Sequence, residues 1–338
     1  MQLMLKWSFK ESACNPCMYA CNDGVSFIFF HVDDLVLVGP GNNFKKKFAD
    51  WFSNSACHPP NTLLGMKFEK KLGSLSASLA LLLSLLTCNS EKPLTMIMKT
   101  SNTRPDLSFA VSSLARYSVK PGLSHWKEVK KTWQYLCHTK DLKFTIYPTK
   151  PTEFLSIYSD ATWGDDPDCR TSQSGYLCYI FGSLFSWNSC RQCSITYSST
   201  KAELNPLVES FHKGAWLKAL INEVWNLQIE SAAHFIDDEE LNQQLTVDDK
   251  TFKELYCTNH LIDNKGLNDK LKKFRSNSKN RHIDVRTKGL RQEIKNKNIK
   301  ITLVKTQDMI ADALTKPTSI GPLRNLIKTV DSSFAHQP

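Results

Sequence analysis

The chain has 338 residues, 41% hydrophobic and 22% charged, which is enough apolar material for one large domain or two ordinary ones and too much for a disordered chain. Its 43 basic against 33 acidic residues leave a formal charge of +10, and residues 265–305 alone hold 14 basic against 3 acidic, a solvated basic face or a footprint for a polyanion. Met1–Ser12 lacks the pattern of a secretory leader, the most apolar run (Leu75–Leu86) is too short to span a bilayer, and eleven cysteines without a regular framework fit reduced thiols, so an intracellular chain, cytoplasmic or nuclear and with no membrane partner, is expected.

Residues 1–72 contain a hairpin signal. SFIFFHV and LVLV are β-prone runs separated by Asp33-Asp34 and stopped by Gly39-Pro40. Two adjacent aspartates suit a tight turn poorly in geometry and in charge, so they mark either a functional pair or a plain acidic turn. Residues 73–103 show no clean period. Thr103-Arg-Pro105 then offers an N-cap and an early helical proline, and Leu107, Ala110, Val111 and Leu114 recur at helical spacing. A second helix is predicted after Ser124, with Trp126, Val129, Trp133 and Leu136 as a core-facing stripe.

From residue 151 the pattern becomes β. FLSIYSDATW alternates, with Leu155 and Ile157 on one side and Tyr158 and Asp160 on the other, and SGYLCYIF and SLFSW follow as a meander turning at Gly182-Ser183. A long helix is predicted from Thr200, with Leu204, Leu207, Val208, Phe211 and Ala215 as its apolar stripe. Residues 230–254, with 8 carboxylates against 2 lysines, read as an exposed excursion. HLID (260–263) reads as a short strand. The basic stretch, a strand at Ile299–Val304 and a last helix started by Thr306 complete a mixed α/β domain.

Phosphodiester chemistry with two divalent ions needs carboxylates from several elements converging on one point, because hard Mg²⁺ takes oxygen ligands. Asp160 at a strand end, Glu203 in a first helical turn, Asp263 at a later strand end and Asp312 on the last helix are candidates. Each has a plainer alternative: a turn residue at Asp160 or Asp263, a capping box Thr200-Lys-Ala-Glu203, an exposed helix residue at Asp312. The two CxxC pairs, Cys14/Cys17 and Cys190/Cys193, lack a completing histidine pair and argue weakly for zinc.

YSDATWGDDPDCRTSQSGYLCYIFGSLFSWNSCRQCSITYSSTKAEL resembles the RNase H region of copia-type (LTR) retrotransposon polyproteins, where YSDADW, DRRSTSGY, ISW and SSTEAEY blocks occur in this order. HLIDNKGLNDKLKKF, NRHIDVRTKGLRQEI and DMIADALTKP resemble the later blocks of that family. FKESACNPCMY and FIFFHVDDLVLVGP resemble its reverse transcriptase around the YVDD motif, and TLLGMKF, TRPDLSFAVSSLARY and HWKEVKKTWQYLCHT its connecting segments. The resemblance covers nearly all of residues 5–317.

It implies an RNase H-like mixed sheet with flanking helices over 151–318, preceded by a truncated α+β polymerase palm over 1–72, a disrupted junction and helical connection over 73–150, and followed by a C-terminal tail at 319–338. It implies that Asp160, Glu203, Asp263 and Asp312 hold two Mg²⁺ ions, with Mn²⁺ as a substitute, in a ribonuclease acting on RNA–DNA hybrids and leaving a 3′ hydroxyl and a 5′ phosphate. Asp33 and Asp34 become the paired polymerase aspartates. Lys265, Lys270, Lys272, Lys273, Arg275, Lys279, Arg281, Arg286, Lys288 and Arg291 become contacts to the hybrid backbone, and other retroelement polyprotein parts become candidate partners.

Departures from the family pattern bear on activity. A third polymerase aspartate and the fingers would precede Met1, so no nucleotidyl transfer is expected from this chain alone. Pro206 falls where the family has a helix-compatible residue, at a cost of roughly 3 kcal/mol inside a helix, and is expected to bend or delay the helix that aims Glu203. Lys201 replaces an acid. The alternatives to an active ribonuclease are an inactive relic that only binds nucleic acid and a fragment that does not fold.

Overall fold

The computed structural model describes residues 9–31, 34–39, 46, 62–63, 66–71, 74–78, 101, 103–229, 231–248, 251, 289–317 and 320–331. Three sheets organise them. The first is an antiparallel meander of β1 (Phe9–Glu11), β2 (Met18–Cys21), β3 (Phe27–His31) and β4 (Asp34–Val38). The predicted hairpin is present: Phe27 pairs with Val38 and His31 with Asp34. Phe9 and Ile28 are its buried centre, with Tyr19, Phe30, Leu35 and Leu37 packed around them.

A second sheet joins β5 (Thr62–Leu63), β6 (Met66–Lys71), β7 (Ser74–Ser78) and β8 (Lys143–Ile146). Its last pairing, Leu75 with Ile146, spans the junction where the sequence shows no clean period. Between these strands a 3-10 turn, Pro105–Leu107, leads into α1 (Ser108–Ala115), and α2 (Leu123–His138) packs on it through Leu107, Val111, Leu114, Val129 and Leu136. Thr103 does not cap this helix. Trp126, predicted to face the core, is 42% exposed, because the buried stripe of α2 starts at Val129. Arg104, 1% exposed, donates to both carboxylate oxygens of Asp106 and to the Thr139 carbonyl and hydroxyl, so its charge is buried with a paired carboxylate and four hydrogen bonds.

The third sheet is the expected mixed one. β9 (Leu155–Ala161), β10 (Gln173–Ile180) and β11 (Ser183–Arg191) run antiparallel, and β12 (Ala232–Ile236) and β13 (Ile299–Leu303) run parallel to β9, in the order β11-β10-β9-β12-β13. The β10–β11 turn is Phe181-Gly182, one residue earlier than predicted; both residues have positive φ, +51° and +75°, the backbone a two-residue hairpin requires.

One face of this sheet is covered by α3 (Ser199–Trp225), whose Leu204, Leu207, Leu217 and Ile221 pack on Leu155, Ile157 and Cys178. Ala215, predicted in that stripe, is exposed, and Gly214 holds the buried place. The other face is covered by a 3-10 segment, Ile310–Leu314, and by α5 (Ile320–Val330), which bury Ala311, Leu314, Leu326 and Ile327 against Leu177, Tyr179 and Leu184. Two covered faces explain why β10 is buried along nearly its whole length.

Three expectations change here. The described part of 230–254 is no exposed excursion: it supplies the interior strand β12 and then α4 (Glu239–Thr246), because AAHFI pairs with β9 on one side and β13 on the other. Asp312 sits on 3-10 turns rather than a helix started by Thr306. The segment expected as a tail is helical over Ile320–Val330, since Leu326, Ile327 and Val330 have a sheet face to cover. HLID (260–263) lies outside the described residues.

Candidate catalytic centre

Four carboxylates meet at one end of the mixed sheet. Asp160 is the penultimate residue of β9. The parallel register of β12, with Phe235 opposite Tyr158, brings Asp237 level with Asp160 just past the strand end. Asp312 reaches the same point from the 3-10 segment. Each of these three aspartates offers an oxygen within 4.8 Å of the others.

Their convergence depends on a missing side chain. Gly175 on β10 pairs with Asp160, and a Cβ there would stand 2.7 Å from Leu314 Cβ and 2.8 Å from Thr315 Cγ2. Only glycine lets the 310–315 segment lie on the strand at this place. That approach carries the buried Thr315 hydroxyl onto Asp160, to which it donates a hydrogen bond. Ser189 donates from β11 to the Leu314 carbonyl at 2.5 Å and fastens the same segment.

Glu203 comes from the second turn of α3. Both its carboxylate oxygens accept from the Ala161 N–H, each at 3.0 Å, so it is tied to the residue after Asp160. The helix is capped two residues earlier than the sequence suggests. Ser198 is the N-cap, accepting from the Lys201 N–H, while the Thr200 hydroxyl donates to Glu240 across to α4 at 2.9 Å. Glu203 is therefore no part of a capping box.

The electrostatics are those of carboxylates crowded together and largely withdrawn from water. Asp160, 2% exposed, is pushed up to about 7, first by burial, with Asp312 and Asp237 adding to the rise and Lys316 and the Thr315 hydroxyl opposing it. Burial, Asp160 and Asp237 hold Glu203 well above the usual carboxylate range. Burial and Asp312 raise Asp237. Lys316 answers this charge: its Nζ lies 2.8 Å from Asp312 Oδ1. Burial works against its ammonium, yet the carboxylates of Asp160, Asp312 and Asp237 raise its proton affinity overall.

Of the four carboxylates proposed from sequence, the structure brings together Asp160, Glu203 and Asp312. Asp263 lies outside the described residues, and the carboxylate beside Asp160 and Asp312 is Asp237. The signal for it is a largely apolar five-residue run, AAHFI, ending directly in Asp237-Asp238, the same strand-then-carboxylate pattern as IYSD. Asp238 does different work, capping α4 by accepting from the Leu241 N–H at 2.6 Å. Asp33 lies outside the described residues, and Asp34 opens β4 in the first sheet.

Of the basic residues, Lys265, Lys270, Lys272, Lys273, Arg275, Lys279, Arg281, Arg286 and Lys288 lie outside the described residues. Arg291 is 5% exposed and donates to the carbonyls of Gln244 and Val247, each at 2.5 Å, at the C-terminus of α4. Its guanidinium serves orphan helix carbonyls and leaves the set expected to face a nucleic acid. Cys14, Cys17, Cys190 and Cys193 are free thiols, and among the described residues no metal-ligating cluster includes a cysteine. No helix among the described residues is long and apolar enough to cross a membrane.

No protein-family model matches the chain. It is similar to the Retrovirus-related Pol polyprotein from transposon RE2 of Arabidopsis thaliana, 28% identical over 232 residues, 68% of this chain and 14% of that protein. It is similar to the corresponding polyprotein from transposon TNT 1-94 of Nicotiana tabacum, 29% identical over 214 residues, 63% of this chain and 14% of that protein. A 117-residue stretch is 38% identical to Secreted RxLR effector protein 161 of Plasmopara viticola, 34% of this chain and 80% of that protein. The chain thus spans about a seventh of the length of the plant polyproteins it matches. Among solved structures, RNase H1 from Halobacterium salinarum NRC-1 aligns over 48% of this chain and 93% of that one, at 16% identity and a TM-score of 0.29.

Proposed function

We propose that this chain, similar to Pol polyproteins of plant transposons, belongs with the copia-type polyproteins and that its mixed-sheet unit cleaves the RNA strand of RNA–DNA hybrids with divalent metal. The observation that carries the reading is the meeting of Asp160, Glu203, Asp237 and Asp312, drawn from four separate chain segments, at one end of the sheet. A fold gains no stability by crowding carboxylates whose burial and mutual repulsion raise their proton affinities. The same set fits a cation, since every donor is a hard oxygen and three are within reach of one point.

Asp160, Asp237 and Asp312 would hold Mg²⁺ or Mn²⁺, with Glu203 completing the set and Asp237 taking the role the sequence assigned to Asp263. When bound, the divalent cation supplies Lewis-acid stabilisation of the charge that develops on the scissile phosphate. The protein's own contribution is placement. The Thr315 hydroxyl orients one oxygen of Asp160, and the Ala161 N–H holds Glu203 against the same strand end. Lys316 lies beside the carboxylates and offsets their charge until metal and the substrate backbone arrive.

The test is incubation of the full chain with a labelled hybrid and Mg²⁺. Cleavage of the RNA strand that chelator and Asp160→Asn both abolish is expected; a folded chain that binds hybrid and never cuts it removes the reading. One observation favours a second reading, a hybrid-binding relic: the Lys316–Asp312 ion pair already fills part of the site with a positive charge. Salt-sensitive hybrid binding that is indifferent to Mg²⁺ would support it.

A further inference from the structure

Pro206 is buried inside α3 and has no N–H, so the helix carbonyl four residues back, that of Ala202, loses the donor it would normally have. The helix nonetheless runs without a break from Ser199 to Trp225. The missing donor is replaced from outside the helix. Gln192, just past the end of β11 and 6% exposed, donates its side-chain amide to the Ala202 carbonyl at 2.9 Å. The same amide nitrogen donates to Ser174 on β10 at 2.9 Å. Its side-chain oxygen accepts from Asn205 at 2.7 Å, and its backbone N–H donates to the Ser172 carbonyl at 2.8 Å. One glutamine thus grips α3 on both sides of Glu203, at residues 202 and 205, and fastens that turn to the sheet that carries Asp160.

We propose that Gln192 is the positioning residue for Glu203: it replaces the hydrogen bond that Pro206 removes and so sets where the Glu203 carboxylate stands relative to Asp160. This rests on the proposed metal-dependent cleavage and explains how that site is held despite a helix-interior proline. A residue at 206 with its own N–H would return the Ala202 carbonyl to its ordinary helical partner. The importance of Gln192 is therefore conditional on Pro206, which a residue needed merely for packing would not show.

The experiment is a double-mutant cycle on the full chain with Gln192→Leu and Pro206→Ala, read by Mn²⁺ affinity from calorimetry and by kcat and KM for hybrid cleavage. Gln192→Leu alone is expected to weaken Mn²⁺ binding and lower kcat by about 10- to 100-fold, as loss of an outer support of a metal site does, with KM for hybrid nearly unchanged. In the Pro206→Ala background the same substitution is expected to change both quantities by no more than about a few-fold, since Ala202 regains its helical donor and only the links to Ser174 and Asn205 are lost. Equal losses in the two backgrounds, or no loss in either, overturn the proposal. If Gln192→Leu alone does not fold, the comparison of Pro206→Ala with the double variant remains, and a loss of about tenfold or more there overturns it. Should the wild-type chain bind Mn²⁺ and cut no hybrid, the cleavage reading fails while the calorimetric cycle still tests the role of Gln192.

Discussion

The first sheet and the mixed sheet both begin as antiparallel meanders, but they are covered differently. Among the described residues, β1–β4 gather around a small cluster centred on Phe9 and Ile28. The mixed sheet has α3 on one face and the 310–314 turns with α5 on the other, with fourteen buried residues in the first of its two clusters. Unfavourable groups accumulate on the second: a helix-interior proline, a fully buried histidine at His234 held down to about 3 by burial, and four carboxylates in one pocket. A site that costs stability sits where a large two-sided core offsets it.

The largest effect that sharpens this contrast is on activity. Asp237→Asn is expected to lower hybrid cleavage by at least ~100-fold, because outer supports of metal sites alone cost up to that much and Asp237 is proposed as a direct ligand. The same rates measured on Asp263→Asn choose between the two aspartates; a full loss at Asp263 with none at Asp237 would return the role to the sequence-based candidate.

The difference in cores is tested by truncation. Leu217→Ala, at a fully buried position under the mixed sheet, is expected to cost about 2–5 kcal/mol in denaturant unfolding. Ile28→Ala, equally buried in the first sheet, is expected to leave amide exchange in β10 unchanged. Faster exchange in β10 of Ile28→Ala would mean that the two regions unfold as one.

The pocket's stored repulsion has a pH signature. Asp160 ionises at about 7 in the folded protein against 3.8 for an unperturbed aspartate, so its contribution to stability is full below the lower value and is lost as pH rises through the higher. Without divalent metal, the melting temperature is expected to fall across this window, and Asp160→Asn should flatten the fall. Added Mg²⁺ should reverse it at neutral pH, by binding the native state. A metal-free melting temperature that rises from acid to neutral pH in the wild type, with no difference in Asp160→Asn, would contradict the assignment.

The smallest effect separates structural from binding arginines. Arg291→Ala leaves the Gln244 and Val247 carbonyls without that donor and is expected to cost about 1–3 kcal/mol. The salt dependence of hybrid binding should stay as it is; a slope reduced by about one would show that Arg291 touches phosphate after all.

Several parts of this architecture were legible before any fold was known. Alternation in FLSIYSDATW and the glycine turn at residue 182 marked β9–β11, and the helical spacing of Leu204, Leu207 and Val208 marked α3. Three of the four clustered carboxylates, Asp160, Glu203 and Asp312, are candidates on sequence pattern alone. Asp237 was passed over because its strand lies in an acidic neighbourhood, where composition over 25 residues outweighed a five-residue apolar run. Arg291 falls among the expected backbone contacts because a charge run carries no sign of which members turn inward. Pro206 was read as a defect because its remedy, Gln192, lies fourteen positions earlier on a different element.

By itself, then, the sequence determined the local conformations whose causes are local: strand alternation, a turn at the glycine of residue 182, and the apolar stripe of a long helix from about Thr200. Tertiary structure alone decided which carboxylate lies beside Asp160 and Asp312, which arginine is spent on carbonyls, and whether a proline breaks its helix. The physical reason is one of range. Backbone preference acts between neighbours, whereas the partner that satisfies a buried carbonyl or crowds a buried carboxylate is chosen by packing among residues far apart in the chain.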